Sequence, residues 1–325
     1  MTVTVSVVIP SYNHGRYIDA AVRSVLSQTL EDLELIVIDD GSTDDTLVRL
    51  AKINDERLSV IAQANAGAHA TINRGLKMAS GKFLTVLNSD DEYASDRLDL
   101  IVAALNRVEN AKMGFAVSWI EVIDASGKAV GIKRGWENML PWEVPASIPE
   151  ATGFSKFTMQ LLASNFVSTT SNIVMRRELF KEVGDFSNLR FAHDWDFLLR
   201  AARLSEGLLI PKALIRYRIH PSNTIRQDRA GMMFEICWVL ATHAPEFLAM
   251  KKRDGTNEQQ KAFCEWLNGA IHTFGQDRIF FILAMAIGSG RSKGESIAGE
   301  ALLELDNPIR SWCLEKIREN EPVVS

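Results

Sequence analysis

The chain has 325 residues, 46% of them hydrophobic and 24% charged, with a formal net charge of −5 and a sequence pI near 5.8. That is globular composition with ample length for a core, so disordered and collagen-like classes are excluded. The acidic balance gives no electrostatic case for nucleic acid, and an anionic substrate would need local help from helix N-termini, a few basic residues or a metal ion.

The first hundred residues alternate strand and helix signals. Val3 to Ile9 is β-branched and apolar, so it reads as a buried strand rather than a cleaved leader. Tyr17 to Ser27 has helical spacing, Leu33 to Ile38 is a second strand, and Thr43 to Lys52 a helix capped by Ser42 or Thr43. A strand at Leu58 to Ala62, a helix at Gly67 to Ala79, a strand at Phe83 to Leu87 and a helix at Asp96 to Arg107 follow. This rhythm predicts an α/β domain with a mostly parallel sheet and helices on both faces. The middle predicts strands at Phe115 to Ile123 and Ala129 to Lys133 around the turn Ala125-Ser126-Gly127. A proline-punctuated stretch from Gly135 to Gly153, with Trp136 and Trp142, reads as a loop or lid on the acceptor side. Ser171 to Met175 and Ala213 to Ile219 read as strands, and Arg177 to Val183 and His193 to Leu204 as helices.

From about Arg226 the pattern is helical, with candidates at Met232 to Ala241, Gln259 to Ile271, Arg278 to Ile287 and Ser296 to Leu305. The expected organisation is a catalytic domain over 1–225, its nucleotide half at 1–110 and acceptor half at 111–225, and a helical extension over 226–325. No window reaches the roughly 18 apolar residues of a membrane span. The extension has three open roles: packing within the chain, a homodimer contact, or a peripheral membrane contact. Cys237, Cys264 and Cys313 form no CxxC pair and no metal spacing, which fits reduced thiols of a cytosolic protein.

In an open α/β sheet, ligands bind beyond the carboxyl ends of the strands. Pro10-Ser11-Tyr12-Asn13 follows the first strand: Pro10 ends the ladder, Tyr12 suits stacking on a base, and Asn13 suits a phosphate or sugar, unless this is an ordinary strand-to-helix turn. Asp39-Asp40-Gly41-Ser42 follows the second strand and reads equally as a base-binding carboxylate and as a helix cap. Asn88-Ser89-Asp90-Asp91-Glu92 follows the fourth strand. Carboxylates gathered there repel one another unless a cation sits among them, and oxygen ligands suit Mg²⁺ or Mn²⁺. His193-Asp194-Trp195-Asp196 opens a helix, so its carboxylates are either caps or a general base. His220 ends the last strand and is either structural or a metal contact.

The order of these pieces resembles the family 2 glycosyltransferases of the GT-A fold. The likeness runs through VSVVIPSYNHGRYIDAAVRSVLSQT, LELIVIDDGSTDDT, NAGAHATINRGL, FLTVLNSDDEY, SNIVMRRELFKEVGDF, HDWDFLLRAAR and ALIRYRIHPSNT, over roughly residues 3 to 225. The resemblance implies an inverting transferase that moves a sugar from a nucleoside-diphosphate donor to a glycan, lipid-linked or protein acceptor, with Mn²⁺ or Mg²⁺. It implies a setting in bacterial surface-polysaccharide assembly, at a cytoplasmic or membrane-peripheral location. Pro10, Tyr12 and Asp40 would hold the base, with Asp39 beside it and Asn13, Asn88 and Ser89 on the nucleotide side. Asp90, Asp91 and His220 would serve the metal and diphosphate, Asp194 would be the catalytic base, and His193, Trp195 and Asp196 would shape the acceptor side. Uridine is favoured because a carboxylate suits its imino N–H.

Three departures stand out. Asn88 replaces the first Asp of the usual Asp-x-Asp, His193 replaces a Glu, and Thr71-Ile72-Asn73 lacks a basic contact to the donor. Two of these motivate a rival, a non-catalytic GT-A module that binds a nucleotide or glycan. A nucleotidyltransferase would want a Gly-rich phosphate loop after the first strand, and a dehydrogenase GxGxxG; both are absent.

Overall fold

The computed structural model describes residues 3–136, 154–221, 223, 228–272, 275–292 and 298–319. They form two compact units. The first comprises 1–144, 166–187 and 200–220, and the second 145–165, 188–199 and 221–325. The expected boundary near residue 225 does not coincide with this division, because 188–199 groups with the C-terminal helices. From residue 137 on, the expected lid lies outside the described residues.

The first unit is built on a sheet whose parallel part is β1 (Val5–Ser11), β2 (Leu33–Asp39), β3 (Leu58–Ala62) and β4 (Phe83–Val86). Their order is β3-β2-β1-β4. β5 (Glu92–Tyr93), β6 (Met113–Ile123), β7 (Ala129–Lys133), β8 (Val174–Arg176) and β9 (Glu206–Arg218) extend it. The sheet continues β4-β8-β6-β9-β5, with β7 beside β6. β8 pairs antiparallel with both β4 and β6, whereas β6 and β9 are parallel.

Side-chain alternation sorts the helices onto two faces. Val5, Val7 and Ile9 of β1 point into a core with Ile18, Ala21, Val22 and Val25 of α1 (Gly15–Leu26), Leu50 of α2 (Thr46–Leu50) and Leu98, Ile101 and Leu105 of α4 (Arg97–Leu105). Val8 points the other way, toward α3 (Ala68–Met78). There a Cβ on Gly75 would stand 2.3 Å from Val8 Cγ1, so only glycine lets that helix lie so close.

Several expectations need correction. Pro10 does not end the strand, since β1 continues to Ser11 in register with Asp39 of β2. What stops is the rung toward β4: Val8 O accepts from Leu87 N at 2.9 Å, and the next donor on that side would be Pro10. The helix expected at Thr43 to Lys52 shrinks to Thr46–Leu50, because Ser42, Thr43 and Asp44 bond to the Asn13–Gly15 loop instead. The strand expected at Ser171 to Met175 is a 3-10 turn at Thr170–Asn172 followed by β8. β9 starts seven residues before the expected Ala213, at Glu206, bulging near Pro211.

The second unit holds α5 (Lys156–Ala163), the first turns of α7 (His193–Leu204), and α8 (Arg229–Asp254), α9 (Asn257–His272), α10 (Asp277–Ser292), α11 (Ala298–Ala301) and α12 (Pro308–Glu319). α6 (Arg177–Val183) belongs to the first unit. α8 packs against α9, α10 and α12, burying Phe234, Trp238, Phe247, Phe263, Leu283, Ile287, Cys313 and Ile317. The apolar run at Ile279 to Ile287 is thus a helix with one face in the core, while Phe281 and Met285 stay exposed. No described helix is long and apolar enough to cross a membrane.

Candidate active site

In the first unit the loops after β1, β2 and β4 meet at the carboxyl edge of the parallel strands. Tyr12 is 49% exposed. Asn13 adopts φ 53°, a left-handed conformation that Asn tolerates. Its N–H donates to Ser42 Oγ at 2.9 Å and its Oδ1 accepts from Thr43 N at 2.8 Å, so Asn13 ties the first loop to the second.

The two aspartates of β2's end differ. Asp40 accepts from Gln63 Nε2 and Ala66 N on Oδ1, at 2.7 and 2.8 Å, and from Gly67 N on Oδ2 at 2.9 Å. It thereby holds the turn where Gly67, at φ 88°, opens α3. Three of about four acceptor positions are used. Asp39 is fully buried: Oδ1 accepts from Ser42 N at 3.0 Å, whereas Oδ2 has no hydrogen-bond partner among the described residues. In α3, Asn73 is buried and bonds both ways to the Phe186 backbone, a structural use of that position.

The acidic loop after β4 splits by role. Asp90 Oδ2 lies 3.0 Å from His220 Nε2. His14 joins them: one ligand atom from each of His14, Asp90 and His220 falls within 4.8 Å of the others. His14 Nδ1 also lies 2.6 Å from Ser89 Oγ, and the His220 ring stacks at 5.0 Å on Tyr17. Asp91, expected beside the metal, points elsewhere. Its Oδ2 accepts from Ser171 Oγ at 2.6 Å and its Oδ1 from Arg218 N at 3.0 Å. Burial and the adjacent Asp90 carboxylate raise its pKa well above the usual carboxylate range, against these two donors. Asn88 is likewise engaged, donating from Nδ2 to Thr169 Oγ1 at 3.0 Å and from its backbone N–H to Ser171 Oγ at 2.9 Å.

Arg218 organises this loop. Its Nε donates to Asp90 O at 2.9 Å, its guanidinium pairs with Glu92, and it lies 5.0 Å from the Tyr17 ring. Because Glu92 also pairs with Arg216 across β5 and β9, the strand end that carries His220 is fixed beside Asp90. Two imidazoles and a carboxylate form a mixed nitrogen and oxygen donor set that could hold a first-row divalent transition-metal ion, whereas Mg²⁺ prefers oxygen ligands throughout. Residue pattern along the chain singles out Asp90 and His220 but not His14, Ser171 or Arg218. His14 was visible in the loop after β1, yet nothing local separates it from a surface histidine.

In the second unit α7 starts at His193. Asp194 is buried, and its Oδ1 accepts from Trp195 N at 2.7 Å and from Asn165 Nδ2 at 3.2 Å. Both of those bonds fall on the same oxygen, Oδ1. Trp195 is buried, with Nε1 donating to Leu161 O at 2.7 Å. Asp196 Oδ1 lies 2.8 Å from His243 Nε2, both side chains only 2% exposed.

Residues 6–184 match the sequence profile described as glycosyl transferase family 2. The chain belongs to that family. An uncharacterised glycosyltransferase of Haemophilus influenzae is 33% identical over 233 residues, covering 68% of this chain and 67% of that protein. Three further uncharacterised glycosyltransferases are covered over 65% to 66% of their lengths, so the chain spans about two thirds of these relatives. An Escherichia coli UDP-Glc:alpha-D-GlcNAc-diphosphoundecaprenol beta-1,3-glucosyltransferase is 37% identical over 102 residues, 31% of this chain and 40% of that one. The structure of S. aureus TarS 1–349 in complex with UDP-GlcNAc superposes with TM-score 0.56 at 20% identity, covering 97% of this chain and 89% of that one. At that identity the likeness concerns the fold, which is the GT-A arrangement.

Proposed function

We propose that this family member is an inverting glycosyltransferase that takes a sugar from a uridine diphosphate donor. The observation that carries the reading is the meeting of His14, Asp90 and His220 at the carboxyl edge of the parallel strands, in the same loop system as exposed Tyr12. Tyr12 would stack on the base, and the remaining acceptor position of Asp40 suits an imino N–H. His14, Asp90 and His220 would hold Mn²⁺, with Asp91 fixing the loop rather than touching the ion. A divalent ion there offsets the charge that builds on a leaving diphosphate.

In the single displacement, Asp194 Oδ2 takes the proton from an acceptor hydroxyl. The freed oxygen bonds to the anomeric carbon as the carbon–oxygen bond to the diphosphate breaks, so configuration inverts. Such general-base assistance contributes about 10²–10⁴-fold. The diphosphoundecaprenol acceptor in the name of the E. coli relative favours a lipid-linked acceptor in surface-glycan assembly.

The test is a binding and hydrolysis screen of uridine, thymidine and guanosine diphosphate sugars with and without Mn²⁺. Metal-dependent binding or slow hydrolysis of a uridine donor is expected. No binding to any donor would turn the reading to a non-catalytic GT-A module.

A further inference from the structure

The helical segment after β9 contains a carboxylate in an unusual place. Glu235 of α8 is only 7% exposed. A buried carboxylate costs several kcal/mol unless it is well satisfied. Here Oε1 accepts from Arg190 N at 2.8 Å, and Oε2 accepts from Phe191 N at 2.7 Å and Ala192 N at 3.0 Å. Those are three consecutive backbone N–H groups directly before α7 begins. Such an array of converging backbone N–H groups suits an anion, and the chain fills it with its own side chain. Eight residues on, His243 of the same helix meets Asp196 at 2.8 Å with both groups buried. α8 therefore holds the backbone of residues 190–192 before Asp194 and the Asp196 side chain two residues after it. Ala192 O in turn accepts from Asp196 N at 2.9 Å, closing the first turn around Asp194.

We infer that Glu235 and His243 are positioning residues that hold Asp194 for proton transfer, which gives the helical segment a part in catalysis. The inference rests on the assignment of Asp194 as the base. A base must be held within hydrogen-bond reach of its proton, and the shell that aims it controls turnover more than binding.

The test uses the full chain, with hydrolysis of UDP-glucose and UDP-N-acetylglucosamine in Mn²⁺ as the probe reaction. Glu235→Gln keeps the shape but replaces one acceptor oxygen with a donor. It is expected to lower kcat by about 10- to 100-fold, on the scale of lost outer-shell contacts, with donor KM unchanged. In an Asp194→Asn background the same change should cost less than about twofold, because residues acting through one group are not additive. A second pair guards against misfolding: His243→Gln, which retains an N–H for Asp196, should recover most of the turnover that His243→Ala loses. Unchanged kcat in Glu235→Gln, or full additivity with Asp194→Asn, overturns the positioning role alone. Turnover of neither donor, or an Asp194→Asn loss under about tenfold, overturns the base assignment and this inference with it.

Discussion

His220 Nε2 stands 3.0 Å from Asp90 Oδ2, although the two residues are 130 positions apart. The contact exists because Arg218, two residues before His220, binds Asp90 O and Glu92. If this pair holds a metal, His220→Ala and Asp90→Asn should each weaken Mn²⁺ binding at least about tenfold, since even outer-shell losses reach that size. Calorimetric titration of Mn²⁺ in the presence of UDP checks it. Unchanged affinity in both variants would falsify the site.

Asp91 predicts the opposite behaviour from its neighbour. Its oxygens serve Ser171 and Arg218 N, so Asp91→Asn should leave Mn²⁺ affinity within a few-fold while Asp91→Ala loses about 1–3 kcal/mol of stability, the cost of stranding buried donors. Urea unfolding and the same titration separate the two effects. A large loss of Mn²⁺ binding in Asp91→Asn would return this residue to the metal.

Asp194→Asn should lower turnover by about 10²–10⁴-fold while UDP binding stays unchanged. The amide keeps the bonds to Trp195 N and Asn165 within reach but offers no basic oxygen. Steady-state rates beside equilibrium UDP binding decide it, and a loss under about tenfold removes Asp194 from the base role.

Tyr12→Ala should weaken UDP by about 1–3 kcal/mol, the usual worth of a base stacked on an aromatic ring. Because Tyr12 is half exposed, thermal stability should hardly move. Fluorescence-monitored UDP titration measures this, and an unaltered affinity would place the base elsewhere.

Lys133 is nearly fully buried, with Nζ 2.5 Å from Ser168 Oγ, and burial lowers its pKa to about 7 from 10.5. Between these values the unfolded chain binds the proton and the folded chain does not, so stability rises with pH in that window. The ceiling is about 1.4 kcal/mol per pH unit. Relative to Lys133→Met, the unaltered protein should therefore gain stability from about pH 7 to about pH 10. Denaturant melts across that range test the sign; a parallel pair of curves would mean that Lys133 keeps its proton when folded.

Local pattern carried much of the architecture. β3, β7, α6 and α7 lie where spacing and caps put them. α5 and α12 lie outside the helices that apolar spacing predicts, yet both carry local cap signals. Ser155 caps α5 by accepting from Thr158 N, and Asn307 caps α12 by accepting from Ile309 N, with Pro308 in the first helical position. β5 could not be seen, since two residues form a strand only because β9 lies beside them.

The sequence by itself determined the α/β alternation, the family, and which loops carry polar chemistry, because apolar periodicity and strand-end residues are local properties. Only the tertiary structure decided how neighbouring residues divide their work. Asp90 meets His220 while Asp91 meets Ser171, Asp40 is bound by the 63–67 turn while Asp39 Oδ2 has no partner among the described residues, and His14 joins a cluster although nothing in its own loop marks it as a ligand. Those choices depend on which partners distant strands bring within about 3 Å, and no spacing along the chain encodes that distance.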